Sequence, residues 1–428
     1  MVISGWGRYK KIDSDVLYYT SEKTLREIIL KHDNLIPIGN LRSYGDCVLS
    51  DVAVSSIKNR FLIEFNEKEG ILSCKSGVLL KDIIEVFVPR GWFLPVTPGT
   101  KYITVGGAIS SDVHGKNHHI DGCISEFVEE IEIMLPDGTV QKVKKGDELF
   151  KGICGGMGLL GVILQAKIRL KKIRSKNIIQ RTIRTKTLEE IFQAFEKNRK
   201  ITYSVAWIDA LNLESRSVRG LVMIGEFSED GDLSYPTKSI FNIRIDMPSF
   251  ILNNPIMRAF NSIYYLKAED SDRIVDIDSF FYPLDRIEGW NRLYGKKGFI
   301  QYQFIVPKKY SFDAIDEVLK TIKKDRVYPF LSVLKLYGRE NNNFLSFPLE
   351  GYSLALDFKV QTGLLDTLSK LDKIVLKYGG RIYLAKDTLM SREMLETGYI
   401  YLDKFRNMRK ELGAMKKFSS IQSRRLGL

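Results

Sequence analysis

Residues able to do chemistry concentrate in Pro98–His119, PGTKYITVGGAISSDVHGKNHH, with Gly99, Gly106, Gly107, Gly115 and three of the chain's four histidines. Closely spaced glycines let backbone N–H groups approach a ligand, because no Cβ stands in the way. Successive main-chain donors form concave anion sites suited to phosphate. His114, His118 and His119 supply groups that titrate near neutral pH. A phosphate cradle beside a titratable cluster is the chemistry of a cofactor site. A metal site is conceivable on this spacing, but no Asp, Glu or Cys pattern completes a ligand set, and none is expected. His118 and His119 fit hydrogen bonding to loop backbone better than catalysis.

Two further glycine segments could serve the same end. Gly39-Asn-Leu-Arg-Ser-Tyr-Gly-Asp46 follows the apolar run Leu35–Ile38, and reads either as a structural turn or as a ligand loop. Gly155, Gly156, Gly158 and Gly161 lead into an apolar run at Val162–Leu170.

The elements that must position these loops are short and mixed. Ser21 opens a helix ending near Lys31, with Leu25, Ile28, Ile29 and His32 on one face. Strands are expected at Phe61–Phe65 and Ile71–Lys75, and a helix at Lys81–Val88. Val128–Leu135 and Val140–Val143 form a hairpin around an Asp-Gly turn. Glu148–Ile153 reads as a helical turn. The first ~175 residues are therefore α+β. The basic stretch Lys171–Lys186 marks a boundary, followed by a helix at Thr187–Glu196 and a strand at Tyr203–Ile208. Residues 228–273 show no sustained period and read as a mobile loop or lid. Phe299–Val306, Leu331–Tyr337, Tyr352–Val360 and Arg381–Ala385 read as strands. Helices follow Ser311 and run from Leu364 to a glycine cap at Gly379, and a basic helical tail closes the chain.

The 428 residues suit two domains, and 44% hydrophobic content is ample for cores. No apolar run spans a bilayer and no signal-peptide core opens the chain, so a cytoplasmic protein is expected. The net charge of +13 favours anionic partners, but the cations are dispersed without interleaved aromatics, and no nucleic-acid partner is expected. Cys47, Cys74, Cys123 and Cys154 show neither disulfide nor zinc spacing and read as free buried thiols.

Several segments carry a resemblance. Gly5-Trp-Gly-Arg8, Arg42-Ser-Tyr-Gly-Asp46, Pro98-Gly-Thr100, Val105-Gly-Gly-Ala-Ile109, His114-Gly-Lys-Asn-His-His119, Trp290-Asn-Arg-Leu-Tyr-Gly295, Gly298-Phe-Ile-Gln-Tyr-Gln-Phe304 and Ala385-Lys-Asp387 resemble the flavoprotein oxidase subunit of the decaprenylphosphoryl-ribose 2′-epimerase family. The glycine segments are shared with the wider vanillyl-alcohol-oxidase-like (PCMH-type) flavoproteins. The likeness runs nearly end to end and is weakest at 228–273.

The resemblance implies an FAD domain of residues 1–175 joined by 380–428, with an inserted antiparallel-sheet-and-helix substrate domain at 176–379. It implies oxidation of the C2′ hydroxyl of a polyprenyl-phosphate-linked ribose to a 2′-keto sugar, the first half of epimerisation to arabinose. An NAD(P)H-dependent short-chain reductase would be the partner, and peripheral association with an anionic inner-membrane surface would suit the substrate. Lys386, His114 and Lys116 would be catalytic. Gln301, Gln303, Lys335, Trp207, Tyr294 and Ala355 would bind substrate, with apolar surface from Phe304. FAD would be held by Gly39, Asn40, Leu41, Arg42, Ser43, Tyr44, Pro98, Gly99, Thr100, Val105, Gly106, Gly107, Ser110, Ser111, Val113, His114, Asn117, Gly158, Val162, Ile163 and Tyr383.

Departures accompany the likeness. Leu41 stands where the family has glycine, which restricts the turn. Arg42 stands where covalently flavinylated relatives carry histidine, so dissociable FAD is expected. Mycobacterial members carry cysteine at the position of Ala355, so thiol-directed inactivators should not attach there. Phe281 and Tyr282 replace a Tyr-His pair. Two rival functions stand beside this one: a soluble aldonolactone or alditol oxidase of the same superfamily, and a non-catalytic glycolipid-binding protein.

Overall fold

Ser21 accepts from the backbone N–H of Thr24 and opens the helix Glu22–Lys31, burying Leu25 and Ile29. That face packs with Val54, Met134 and Phe418, so the helix joins residues near both ends of the chain. A computed structural model describes residues 1–211, 218–235, 241–248 and 252–428. The helix rests beside a parallel three-stranded sheet ordered Asp15–Tyr18, Val52–Ser55, Ile36–Ile38. A second, antiparallel sheet runs Val140–Lys144, Val128–Met134, Val162–Arg169, Ile71–Lys75, Leu62–Asn66. Its hairpin turns at Gly138, whose φ of 80° is the left-handed conformation glycine adopts without strain.

The third sheet has eight antiparallel strands. Its order is Asp272–Asp276, Asn177–Thr185, Gly220–Phe227, Tyr203–Ile208, Leu331–Tyr337, Gly351–Lys359, Phe299–Pro307, Arg381–Ile382. The amphipathic helices Leu188–Lys197, Ser311–Asp325 and Leu364–Lys377 cover one face of it with Ile191, Ile315, Leu319, Leu368 and Leu371. Successive strand residues point to opposite faces. Register therefore sets Gln303 opposite Ala355, Ala355 opposite Val333, and Val333 opposite Trp207. One cross-sheet row is thus built from four distant segments. Phe304, one residue out of phase, is fully buried on the other side and offers nothing to a ligand.

Chain segments beyond 380 return to the first two sheets. Leu35 and Phe418 form a bridge, and buried Arg409 donates to the carbonyls of Leu159, Ala414 and Phe418. The mixture of helix and sheet is α+β.

Two expectations are corrected. The strand expected at Arg381–Ala385 ends at Ile382, after which the chain turns so that Lys386 and Asp387 donate back to the carbonyl of Tyr383. Residues 228–273 contain the helix Asn254–Lys267; the parts of that segment at 236–240 and 249–251 lie outside the described residues.

Candidate active site

A cavity of about 680 Å³ lies where the glycine loops face the uncovered side of the large sheet. On the loop side, Gly39–Tyr44 line it. Leu41 holds φ at 50°, the left-handed geometry that a side chain adopts at a cost of roughly 1–2 kcal/mol. Among the described residues, no protein acceptor takes the backbone N–H of Asn40, Leu41, Arg42 or Ser43. Arg42 Nε and Ser43 Oγ are buried without partners as well. Donors in excess of acceptors, gathered around a left-handed residue, suit the pyrophosphate of a dinucleotide. Arg42 lies 3.9 Å over the Trp6 ring, which fixes the guanidinium beside the loop.

Gly106 and Gly107 line the cavity but serve differently from the expectation. The N–H groups of Val105, Gly106 and Gly107 are already used on Val78 O, Ser76 O and Thr104 Oγ1. A Cβ at Gly106 would stand 3.0 Å from Ser76 Cβ. Gly106 permits close approach of the short helix Val105–Ser110 to Ser76, and Gly107 leaves room for the Thr104 hydroxyl that caps it, while the spare backbone donors lie in the Gly39–Ser43 loop.

The opposite wall is the cross-sheet row. Gln301 and Gln303, Val333 and Lys335, Ser353 and Ala355, and Trp207 all line the cavity by the alternation of their strands. Lys386 arrives from the turn after Ile382, its Nζ 3.5 Å over the Tyr44 ring. That turn is held from behind: a Cβ at Gly45 would lie 1.6 Å from the carbonyl oxygen of Asp387. Arg425 donates to both Asp46 and Asp387, at 2.9 and 2.7 Å.

Arg42, His114, Lys116, Lys335 and Lys386 line the cavity, and among its described lining residues none is acidic. Burial and the neighbouring Lys335 push Lys116 down to about 7, and burial alone pushes Lys335 to about 8. Lys116 Nζ donates to the carbonyl of Phe280. Burial, then Lys335, keeps His114 neutral; Gln303 Nε2 lies 3.3 Å from its Nε2, and Nδ1 has no partner. The balancing acid is Asp357, one step behind the wall. It accepts from Gln301 Nε2 at 2.5 Å, and its Oδ2 is buried and unpartnered. Burial pushes the Asp357 carboxyl up and the Lys386 ammonium down, and their attraction opposes both shifts.

Most expected residues are thus brought together, with three exceptions. Val105 points into the core rather than the cavity. Asn117 is a brace, donating to Pro95 O at 2.8 Å and Asp121 at 2.6 Å. Tyr294 is buried in a ring stack 4.3 Å from Phe299 at the sheet edge. His118 and His119 do bond loop backbone: Gly338 N–H donates to His118 Nδ1, and His119 Nε2 is 2.9 Å from Ile201 O. Phe281 lines the cavity, whereas Tyr282 is turned away onto Thr97 at 2.6 Å. All four cysteines are free and buried. Among the described residues no cluster of three metal-ligating side chains occurs.

Sequence reasoning missed Asp357, although its position two residues beyond Ala355 in the same strand put it on the same face. It also missed Phe260 and Tyr264, which line the cavity from the helix Asn254–Lys267.

Comparison with known proteins bears on this geometry. An FAD binding domain family matches residues 16–144, the part holding all of Gly39–Tyr44 and Pro98–His119. A decaprenylphosphoryl-β-D-ribose oxidase of Mycolicibacterium smegmatis is 29% identical over 100% of this chain and 97% of its own length. An uncharacterised protein of Streptomyces coelicolor is 28% identical over 82% of the chain and 100% of its length. A D-lactate dehydrogenase of Anaerostipes hadrus is 27% identical over 40% of the chain and 38% of its own.

Proposed function

We propose that this chain, an FAD-binding oxidoreductase, belongs with the decaprenylphosphoryl-ribose oxidases and oxidises the C2′ hydroxyl of a polyprenyl-phosphate-linked pentose to a 2′-keto sugar. The observation that carries this reading is the shared cavity, in which spare backbone donors face a cationic, amide-lined sheet surface.

Bound FAD would supply the acceptor for the hydride leaving C2′. In this reading the Gly39–Ser43 loop, Arg42 and Ser43 hold its pyrophosphate, without a covalent bond, and Pro98–Thr100, Ser110, Ser111, Gly158 and Tyr383 border the rest. Lys116 and Lys335 bind the substrate phosphate as charge-assisted donors. Gln301 and Gln303 orient the sugar hydroxyls, Gln301 fixed by Asp357. The hydroxyl proton passes to Nζ of Lys386, whose burial favours the free amine and whose ammonium form Asp357 then stabilises. Trp207 and Ala355 set the shape beneath the sugar. Residues 1–175 with 380–428 would form the cofactor domain and 176–379 the substrate domain. A reductase of the short-chain type would take the keto sugar, and an anionic membrane surface would present the substrate.

The test is the absorbance of the purified FAD-loaded protein under anaerobic conditions. Bleaching of the oxidised-flavin band by polyprenyl-phosphoryl ribose, and not by free pentoses, is expected. Bleaching by free sugars or lactones instead would make the protein a soluble sugar oxidase. Bleaching by nothing, with FAD bound, would overturn the reading.

A further inference from the structure

The helix Asn254–Lys267 is built the reverse of an ordinary surface helix. Its inward side is polar: Asn261, 3% exposed, donates to Asp209 at 2.7 Å, Ser262 accepts from Arg219 at 2.9 Å, and Tyr265 donates to Thr185 O at 3.2 Å. Its outward side is apolar: Ile256, Phe260, Ile263 and Leu266 are 51%, 59%, 54% and 68% exposed. An amphipathic helix normally turns its apolar stripe to the core. Here the stripe is held outward by hydrogen bonds on the polar face, and a contiguous exposed apolar surface marks an interaction site.

Two observations say what covers it. The first is continuity with the cavity: Tyr264 meets Trp207 edge-on at 5.1 Å and stacks toward Phe260 at 6.3 Å, and all three line the cavity that holds Lys335 and Lys386. An apolar path therefore runs from the sugar-binding end to the exposed stripe. The second is charge. Residues 254–267 carry Arg258 and Lys267, both exposed, and no acid, on a chain of net charge +13. Glu269 just beyond is paired with Arg273 at 2.9 Å. Lys267 shares the face of Ile256, Phe260 and Ile263, whereas Arg258 lies over the Tyr328 ring; a second copy docking by the same face would oppose Lys267 to its counterpart, and an anionic lipid surface attracts it.

We propose that the outer face of the helix Asn254–Lys267 lies in the interface of an anionic bilayer, and that a substrate's hydrocarbon tail passes along Phe260, Tyr264 and Trp207 into the cavity. This rests on the reading of a lipid-linked substrate. An interfacial helix of this kind needs an apolar face, flanking cations and no membrane-spanning length, and no helix among the described residues is long and apolar enough to cross a membrane.

The test uses the FAD-loaded full chain and vesicles of phosphatidylcholine with and without phosphatidylglycerol. Ile256→Ser, Ile263→Ser and Leu266→Ser together are expected to lower co-sedimentation with the anionic vesicles by about tenfold or more, leaving bound-flavin absorbance unchanged. In a second protein, Ile263→Cys carries an environment-sensitive dye, the four native cysteines being buried. Its emission should shift to the blue on anionic vesicles and much less on neutral ones. Unaltered sedimentation of the triple variant, an unshifted dye, or a self-association that the triple variant abolishes would each overturn the proposal. Bleaching by detergent-dispersed substrate is read separately, so a failed membrane surface and a failed oxidase reading give different results.

Discussion

At Leu41 the loop that faces the cofactor cavity adopts a geometry that glycine holds without strain. Leu41→Gly removes roughly 1–2 kcal/mol of strain and adds back roughly 0.5–1 kcal/mol of unfolded-state entropy. A small gain in melting temperature of the FAD-free protein is expected by calorimetry. Gly45→Ala runs the other way. The added Cβ has no room beside Asp387, and overpacking of this kind costs about 1–3 kcal/mol or more; loss of retained FAD after gel filtration should accompany the lower melting temperature. Lys116 carries a pH signature. Its folded value, about 7, is below that of the unfolded chain, so the unfolded chain holds more protons between there and the ordinary lysine range. Stability from this group is present at high pH and is lost as pH falls through its folded value. Urea titrations from pH 7 to 10 should show wild type gaining relative to Lys116→Met, by up to about 1.4 kcal/mol per pH unit.

Among the elements, the last helix, Ile421–Leu426, does the most for the site without touching the cavity. Arg425 is the cation between two carboxylates, Asp46 and Asp387, whose side chains are 0% and 2% exposed. Arg425→Ala leaves Asp387 without its cation and Asp46 with Lys10 alone, at 2.7 Å, and breaking such a buried pair costs about 3–5 kcal/mol. A destabilised protein with a faster rate of FAD loss is expected in stopped dilution, while Arg425→Lys should restore part of each. The elements also show what sequence could and could not disclose. Strand periodicity located Phe299–Pro307, Leu331–Tyr337 and Gly351–Lys359, and alternation within them told which residues share a face. It could not tell which face meets the glycine loops, and so Phe304 was expected at the site while Asp357 was passed over. The helix Asn254–Lys267 escaped notice because Met257, Ala259, Tyr264 and Tyr265 spread apolar residues beyond the stripe of Ile256, Phe260 and Ile263 and blur its period. The glycines of Val105-Gly-Gly were legible as close-approach residues; that Gly106 approaches Ser76 depends on a contact distant in sequence.

For the molecule as a whole, the cavity draws its walls from both the glycine loops and the eight-stranded sheet, and several clamps cross between them. Lys101 reaches Asp278 and Tyr235, each at 2.8 Å, and Asp285 accepts from the Lys101 backbone at 2.8 Å. Asp112 gathers Asn341, Asn343 and Ser346 at 2.7–2.9 Å. A ligand gripped by both walls should stabilise both together. FAD at a hundredfold excess over its Kd is expected to add about 2.7 kcal/mol, visible as a single raised unfolding transition in calorimetry.

The return of the residues around 409–425 onto strands laid down near residue 35 bears also on the order of synthesis. Arg409, Phe418 and Arg425 emerge from the ribosome long after the loops that they brace. The loops near residues 35–46 and 159, translated first, therefore lack these braces until residues 409–425 have been made. Firm cofactor capture is expected to be a late event in the life of the polypeptide, checked by the FAD that chains truncated before Arg409 retain on gel filtration.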